Sequence, residues 1–297
     1  MMTAYRLKLP ATSANLGPGF DALGLAMKLY LEIEAFPAAA MHLVAGGRDA
    51  AVVGSTDRNL MLETYRDLAP HGPALHLAIR NGIPLGMGCG SSAAALLAGV
   101  FLANHFGELG MTAEEAVSEA CRREGHPDNV AACAYGGLTA SAMENGRVTA
   151  ASFGAGLDWR LLIALPGEGL ATTKARALLP EMYSRADAVV NVQATALLVS
   201  AFALNRPELL LAGTKDRLHQ PYRSAACPLL PLLLPLAGTD GIHSVTLSGA
   251  GPSVLLVVSG STEVNGVINR IRVAAGDPAL EVLETGISVG AMAGFSS

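Results

Sequence analysis

The stretch Pro84-Leu-Gly-Met-Gly-Cys-Gly-Ser-Ser-Ala-Ala-Ala95 places a glycine at every second position, then two hydroxyl side chains, then an alanine-rich run. Glycine has no Cβ, so a bulky ligand can closely approach the backbone NH groups of the alternate glycines, which are Gly86, Gly88 and Gly90. Ser91 and Ser92 are typical N-cap residues, and the Ala- and Leu-rich residues 93–106 predict a helix. Because free NH groups and the helix dipole both favour negative charge, a glycine-rich loop ahead of a helix predicts a phosphate site of the nucleotide-binding kind.

This stretch differs from two common phosphate-binding motifs, and it has two alternatives that bind no ligand. It is not a Walker A loop, since no Lys-Ser/Thr pair closes it, and it is not GxGxxG, since its glycines alternate. No Asp, Glu, Lys or Arg occurs between Arg80 and Glu108, so a membrane span is one alternative. A span needs about 20 helical residues, however, and the glycine-rich half is a poor helix former. A packed helix whose glycine turn binds nothing is the other alternative.

Composition bounds the class of protein. The 297 residues suffice for one large domain or two ordinary ones, and with 51% hydrophobic residues the chain can bury a sizeable core. The formal net charge is −5 and no basic run occurs, which argues against nucleic acid or an anionic membrane as partner. Residues 1–10 lack an uninterrupted apolar run, so no signal peptide is predicted. The cysteines show no metal-site spacing, which predicts reduced thiols in a cytoplasmic protein. They are Cys89, Cys121, Cys133 and Cys227.

The order of predicted elements favours an α+β fold. Residues 10–24 contain three glycines and two prolines, which predicts an ordered loop that carries Asn15 and Asp21, with a turn stabilised by Asx caps as the alternative. Residues 25–35 are predicted as a strand, and residues 42–53 as a strand pair. Strands and helices alternate without a regular period, which favours α+β over a doubly wound sheet.

The second half of the chain is predicted to form a second domain. The strand at residues 160–165 is taken as its start, so the predicted domains are 1–156 and 157–297. In the first half of the chain, Thr112 and Glu115 form the capping-box pattern that marks the start of a helix. Residues 186–204 are predicted as a long apolar helix buried on most sides, and residues 281–289 as the last strand.

Two polar clusters stand out among the apolar segments. Glu124-Gly-His-Pro-Asp-Asn129 offers a carboxylate that suits Mg²⁺ beside phosphates, with Ser91 or Ser92 completing the shell. The His, Asp and Asn of this segment could hold a small polar substrate, and ordinary turn residues at a helix end are the alternative. In the second cluster, Leu218-His-Gln-Pro-Tyr-Arg223, the arginine could join Arg176 in forking a carboxylate, with solvated surface arginines as the alternative.

Three motifs together carry a family resemblance. Residues 84–94 resemble the Pro-x-x-x-Gly-x-Gly-Ser-Ser-Ala-Ala signature of the galactokinase, homoserine, mevalonate and phosphomevalonate (GHMP) kinase superfamily, and residues 10–21 and 248–253 resemble its first and third motifs in the same order. Within the superfamily, residues 12–21, 124–130 and 219–223 are similar to homoserine kinases specifically. The resemblance spans nearly the whole chain, and Cys89 departs from it where the family usually has Leu.

The resemblance implies a two-domain GHMP kinase fold. Its N-terminal domain would have a left-handed βαβ crossover, a topology also found in a ribosomal protein, and its C-terminal domain would be ferredoxin-like. ATP with Mg²⁺ would bind in the cleft, and the γ-phosphoryl group would pass to the side-chain hydroxyl of L-homoserine in threonine biosynthesis. The residues implied for ATP are Pro84, Gly86, Gly88, Gly90, Ser91, Ser92 and Ala93.

Site residues are carried over by matched position. Those implied for the amino acid are Asn15, Asp21, His126, Asp128, Thr172, Arg176 and Arg223. The two arginines would take the α-carboxylate and Asp21 the α-ammonium. Catalysis would rest on positioning and charge stabilisation by Asn129, Glu124 and Ser92. Ser92 and Glu124 would hold the metal, with Glu119 as the alternative carboxylate.

Two other functions are consistent with the sequence. One is a kinase for another small alcohol such as mevalonate, and another is a non-catalytic ligand sensor on the same fold. Two arginines together with the acidic Asp21 favour a zwitterionic substrate over mevalonate. The presence of Ser91, Ser92 and Glu124 favours an enzyme over a ligand sensor. Family habit implies a homodimer, with the helix at 186–204 as one candidate contact.

Overall fold

The computed structural model describes residues 4–170 and 172–295, without the side chains of Thr172 and Phe295. Two sheets organise these residues. The strands are β1 (Tyr5–Asn15), β2 (Gly19–Ala38), β3 (His42–Gly47), β4 (Ala74–Asn81), β5 (Leu138–Glu144), β6 (Arg147–Phe153), β7 (Arg160–Leu165), β8 (Ile242–Leu247), β9 (Val254–Val258), β10 (Glu281–Gly286) and β11 (Met292–Phe295).

Helices cover the sheets and join their strands. They are α1 (Ala50–Val53), α2 (Leu60–Leu68), α3 (Ser91–Phe106), α4 (Ala113–Glu124), α5 (Asp128–Tyr135), α6 (Thr172–Arg176), α7 (Arg185–Ala203), α8 (Leu210–Gly213), α9 (Gln220–Arg223), α10 (Leu229–Leu233) and α11 (Val264–Ala275). Short 3-10 turns cover Pro207–Leu209 and Leu234–Leu236.

The topology confirms the α+β class. The first sheet has the order β11-β1-β2-β4-β3, with β5 on β2 and β6 on β5. Its β3 and β4 are parallel and are joined through α1 and α2, which makes them a βαβ unit. The second sheet is antiparallel with the order β10-β7-β9-β8. In chain order that is 4-1-3-2 with helices after the first and third strands, which is the ferredoxin-like arrangement predicted for this half.

The prediction of a loop at residues 10–24 is wrong. β1 continues to Asn15 and β2 begins at Gly19, so only residues 16–18 form the turn. The register between the two strands shifts at Pro10/Ala11 and again near the turn. A β-bulge tolerates proline because the bulged residue gives no ladder hydrogen bond, so the proline did not break the strand.

Two other predicted elements differ from the structure. Residues 42–53 form one strand followed by the short helix α1, rather than a strand pair. The predicted last strand at 281–289 ends at Gly286, and β11 returns to pair with β1. Residues 292–295 therefore belong by pairing to the first sheet. The capping box at Thr112 is confirmed, since its hydroxyl accepts from the Glu115 NH and the Glu115 carboxylate accepts from the Thr112 NH.

Helix α7 is more exposed than its composition predicted. Its buried residues form one stripe only, namely Asn191, Ala194, Leu198, Ala201 and Phe202. Among the described helices it alone is long and apolar enough to cross a membrane, a criterion that helices of soluble proteins also meet. The Asn191 amide lies on its buried stripe and donates to the Pro18 carbonyl, which ties α7 to the β1–β2 turn. The buried stripe thus packs on protein.

Two hydrophobic clusters fill the interior of the described residues. One lies between the first sheet and helices α2 and α3 and extends to one face of the second sheet and to α7, and the other lies between the opposite face of the second sheet and helices α10 and α11. The β1–β2 turn, the loop before α3 and the β8–β9 loop lie beside one another. The three glycine-containing segments of the sequence are therefore brought together by packing of distant elements.

Candidate active site

Direct hydrogen bonds join the three glycine-containing segments. The Thr12 NH donates to the Cys89 carbonyl over 3.0 Å, and the Ser248 hydroxyl donates to the Gly88 carbonyl over 2.8 Å. Gly88 has φ +73°, and a Cβ there would lie 2.1 Å from the Ser248 carbonyl oxygen. Any side chain at this position would therefore push the β8–β9 loop away from the glycine loop.

The glycine loop ends directly in helix α3. Gly90 is the N-cap residue with φ +68°, so the prediction that Ser91 or Ser92 caps the helix is wrong. A Cβ on Gly90 would come within 1.9 Å of the Thr12 hydroxyl. Ser91 and Ser92 instead occupy the first helical turn. The first NH groups of a helix have no intrahelical partner, so this end of α3 offers donors and a positive dipole end to an anion, as predicted.

A cavity of about 200 Å³ lies in front of this helix end and brings together most of the predicted site residues. Those that line it are Asn15, Asp21, Gly86, Gly88, Gly90, Ser91, Ser92, Glu124, His126, Asp128, Asn129, Arg176 and Arg223. Ala93 is buried inside α3, and Pro84 is buried in the loop and lines a neighbouring cavity instead. The side chain of Thr172 lies outside the described residues.

Sequence reasoning missed several lining residues. They are Phe20, Leu170, Gly249 and Ala250, and Cys89 adds its backbone to the loop. Phe20 sits within the first motif, so its place beside Asp21 was the available signal. Leu170 has no such signal, because it lies in the segment between β7 and α6, outside every motif.

Ser92 and Glu124 form the oxygen pair predicted for a metal. The Ser92 hydroxyl donates to Glu124 Oε1 over 2.7 Å. Burial raises the pKa of Glu124, against the hydrogen bond from Ser92, which lowers it. Glu119 does not line the cavity and is ion-paired with Arg122 and Arg123. A hydroxyl and a carboxylate beside a phosphate loop are the hard oxygen ligands that Mg²⁺ prefers, so Ser92 and Glu124 fit such an ion better than Glu119 does.

The segment between α4 and α5 forms a compact hydrogen-bonded group. His126 Nδ1 lies 2.6 Å from Asp128 Oδ1, and the Thr12 hydroxyl donates to Asn129 Oδ1 over 2.7 Å. Burial lowers the pKa of His126, but the hydrogen bond and charge of Asp128 outweigh it and the pKa is raised overall. Asn129 Nδ2 lies 3.3 Å from the same Asp128 oxygen. The Asn129 amide is thus held from both ends at the cavity wall.

Arg176 and Asp21 form an ion pair with each other. Two hydrogen bonds of 2.9 and 2.7 Å join the Arg176 guanidinium to the Asp21 carboxylate in a bidentate pair. The two side chains remain 44% and 33% exposed. An exposed pair of this kind contributes about 0–1 kcal/mol, so a ligand that offers both charges can replace it readily.

Arg223 differs from Arg176 because it is buried and, among the residues that the structure describes, is not ion-paired. It is 1% exposed, and in the described part of the chain no carboxylate oxygen lies within 4.0 Å of its guanidinium. Its hydrogen bonds go to neutral acceptors, the Ala175 carbonyl at 3.3 Å and His219 Nδ1 at 3.2 Å. Burial and the nearby charge of Arg176 lower the pKa of Arg223. A buried cation that faces a cavity without a counter-ion favours binding of an anion there.

A second group could in principle hold a metal. Ligand atoms of Asp21, His126 and Asp128 lie within 4.8 Å of one another. These groups are already engaged, because Arg176 binds Asp21 and His126 binds Asp128. The Ser92 and Glu124 pair therefore fits a magnesium ion better.

An apolar cavity of about 260 Å³ adjoins the first one and shares Ser91 and Ser92 with it. Its other walls come from β2, α1, α2 and the end of β4. They include Leu31, Val52, Val53, Leu60, Met61, Ile79, Ile83 and Leu85. Sequence analysis did not predict this cavity, since single apolar residues on four separate elements carry no local signal.

Comparisons with known proteins identify the family and the fold. The GHMP kinases N terminal domain family matches residues 59–137. A homoserine kinase from Solibacter usitatus is 46% identical over 257 residues, covering 85% of this chain and 84% of that protein. One from Bacillus mycoides is 34% identical over 291 residues, covering 97% of both. The crystal structure of homoserine kinase from Cytophaga hutchinsonii shares the fold, with a TM-score of 0.82 at 23% identity over 99% of this chain and 98% of that one. The chain belongs to the homoserine kinase family of GHMP kinases.

Proposed function

We propose that this kinase transfers the γ-phosphoryl group of ATP to the side-chain hydroxyl of L-homoserine, with O-phospho-L-homoserine and ADP as products. The observation that carries the substrate assignment is Arg223, a buried cation that has no carboxylate partner among the described residues and lies on the wall of a cavity of about 200 Å³. The same cavity is lined by the glycine loop, so substrate and phosphates would meet there.

The two ends of homoserine would bind to opposite charges. Arg223 would hold the α-carboxylate, and the acidic side chains of Asp21 and Asp128 would hold the α-ammonium. The exposed Arg176–Asp21 pair would open, since the zwitterion supplies a partner for each of its charges. Fixing both ends leaves the hydroxyl of the side chain directed at the glycine loop.

ATP would occupy the two adjoining cavities. Its phosphates would lie at the N-terminus of α3 against the backbone of the glycine loop, and its purine would lie in the apolar cavity that shares Ser91 and Ser92. Ser92 and Glu124 would hold Mg²⁺, which neutralises phosphate charge when it is bound.

Transfer would depend on positioning more than on proton abstraction. The Asn129 amide is oriented by Thr12 and Asp128, and its Nδ2 carries a second proton for the substrate hydroxyl or a phosphate oxygen. Phosphoryl transfer needs little covalent help from the protein, so alignment and charge stabilisation account for the rate. We further propose a cytoplasmic enzyme that forms a homodimer.

A coupled ADP-release assay tests the assignment. The substrates are homoserine, homoserinol, which has an alcohol in place of the carboxylate, and mevalonate, which has a carboxylate but no ammonium. We expect the highest kcat/KM with homoserine. A preference for mevalonate would assign a different GHMP kinase activity, and binding of homoserine by calorimetry without ADP release would show a ligand sensor.

A further inference from the structure

His219 is fully buried between the β1–β2 turn and helix α9. Its Nε2 lies 2.8 Å from the Gly17 carbonyl oxygen, and its Nδ1 lies 3.2 Å from Arg223 Nη1. A carbonyl oxygen can only accept and a guanidinium can only donate. The proton of the ring must therefore be on Nε2, and the lone pair on Nδ1 accepts from Arg223.

The ring is held in this orientation by its surroundings. The His219 backbone NH donates to Asp216 Oδ2 over 3.1 Å, and the Phe20 ring packs on the imidazole at a centroid distance of 5.6 Å. Asp216 also accepts from the backbone NH groups of Leu218 and Gln220, at 2.7 and 2.6 Å. The Asp216 carboxylate is thus engaged with the backbone before α9, and among the described residues it forms no ion pair with Arg223.

His219 stays neutral in this environment. Its pKa is lowered to about 4, chiefly by burial; the charge of Asp216 opposes this shift, and the charge of Arg223 contributes to it. At neutral pH, Arg223 is therefore oriented by an acceptor that carries no charge.

We infer that His219 is a positioning residue that fixes the Arg223 guanidinium on the cavity wall without neutralising it. The inference rests on the proposed function, in which Arg223 binds the substrate carboxylate. An Asp or Glu in this place would form a buried ion pair with Arg223, and the substrate would then have to compete with it. A neutral acceptor gives the same orientation and leaves the full charge for the ligand. His219 also joins the turn that precedes Phe20 and Asp21 to the helix that carries Arg223.

The first test compares His219→Phe with His219→Asn. Phe keeps a ring but has no acceptor, whereas Asn Oδ1 stands near the position of Nδ1 and still accepts from Arg223. A hydrogen bond to a charged group is worth about tenfold or more in binding. We expect His219→Phe to lower the ratio of kcat/KM for homoserine to that for homoserinol about tenfold, mainly through KM for homoserine. His219→Asn should keep the ratio within about threefold of wild type.

A second pair of variants tests the role of His219 if His219→Phe does not fold. His219→Asn and His219→Asp have the same shape and differ in charge, so loss of packing is common to both. We expect His219→Asp to have the lower preference for homoserine over homoserinol, by about tenfold, because its carboxylate neutralises Arg223.

The outcomes separate this inference from the proposed function. Equal ratios for His219→Phe and wild type, or for His219→Asp and His219→Asn, would overturn the role of His219. A merely structural role would lower kcat/KM for both alcohols alike and leave their ratio unchanged. If wild type itself does not prefer homoserine to homoserinol, the proposed carboxylate site is refuted, independently of the results for the variants.

Discussion

Replacing Arg223 by Ala tests the substrate site most directly. Arg223 is 1% exposed and without an acidic partner in the described residues, so a bound carboxylate would be its counter-ion. Removing one partner of such a buried charge pair lowers the binding free energy by about 2–5 kcal/mol. At about 1.4 kcal/mol per tenfold, KM for homoserine should rise roughly 30-fold or more. Arg223→Lys should recover only part of this, because an ammonium cannot fork a carboxylate.

Arg176→Ala is the comparison variant for that experiment. Arg176 is 44% exposed, so its contact with the substrate carboxylate would be worth only about 0–1 kcal/mol, and KM for homoserine should rise at most roughly fivefold. Both variants are assayed by coupled ADP release at saturating ATP, with homoserinol as second substrate and thermal unfolding as a check of the fold. KM for ATP and activity with homoserinol should change little. A larger effect for Arg176→Ala than for Arg223→Ala would refute the assignment of the carboxylate to the buried arginine.

Three further predictions concern the glycine loop, the metal and the thiols. Gly88→Ala should lower the melting temperature and raise KM for ATP more than Gly86→Ala does. The two glycines have similar positive φ, but only a Cβ on Gly88 would clash with backbone atoms. Equal melting temperatures for the two variants would contradict this prediction. Glu124→Gln should lower kcat by orders of magnitude and raise the Mg²⁺ concentration needed for half-maximal rate, while Glu119→Gln should do neither. The four cysteines are all buried, so a thiol reagent should modify none of them in the native protein and all of them in denaturant.

The sequence alone was enough for features that depend on neighbours in the chain. The capping box of Thr112 and Glu115 needs only residues three apart, and the structure confirms it. The alternate glycines before α3 likewise specify a loop in which every second residue has a positive φ, a conformation that glycine adopts without strain. Because such patterns are local, their geometry follows from a few dihedral angles, and the kinase resemblance rests on segments of this kind.

Tertiary structure alone decided how the distant charges pair. Both arginines looked equivalent in the sequence, but Arg176 binds Asp21, 155 residues away, while Arg223 is oriented by the neutral His219. The pairing of β11 with β1 was also decided by the tertiary structure, because the sequence of a four-residue strand does not indicate which strand it pairs with. Whether a charge is free, paired or buried depends on which elements pack around it. That packing is set by the whole hydrophobic core and not by the spacing of residues along the chain.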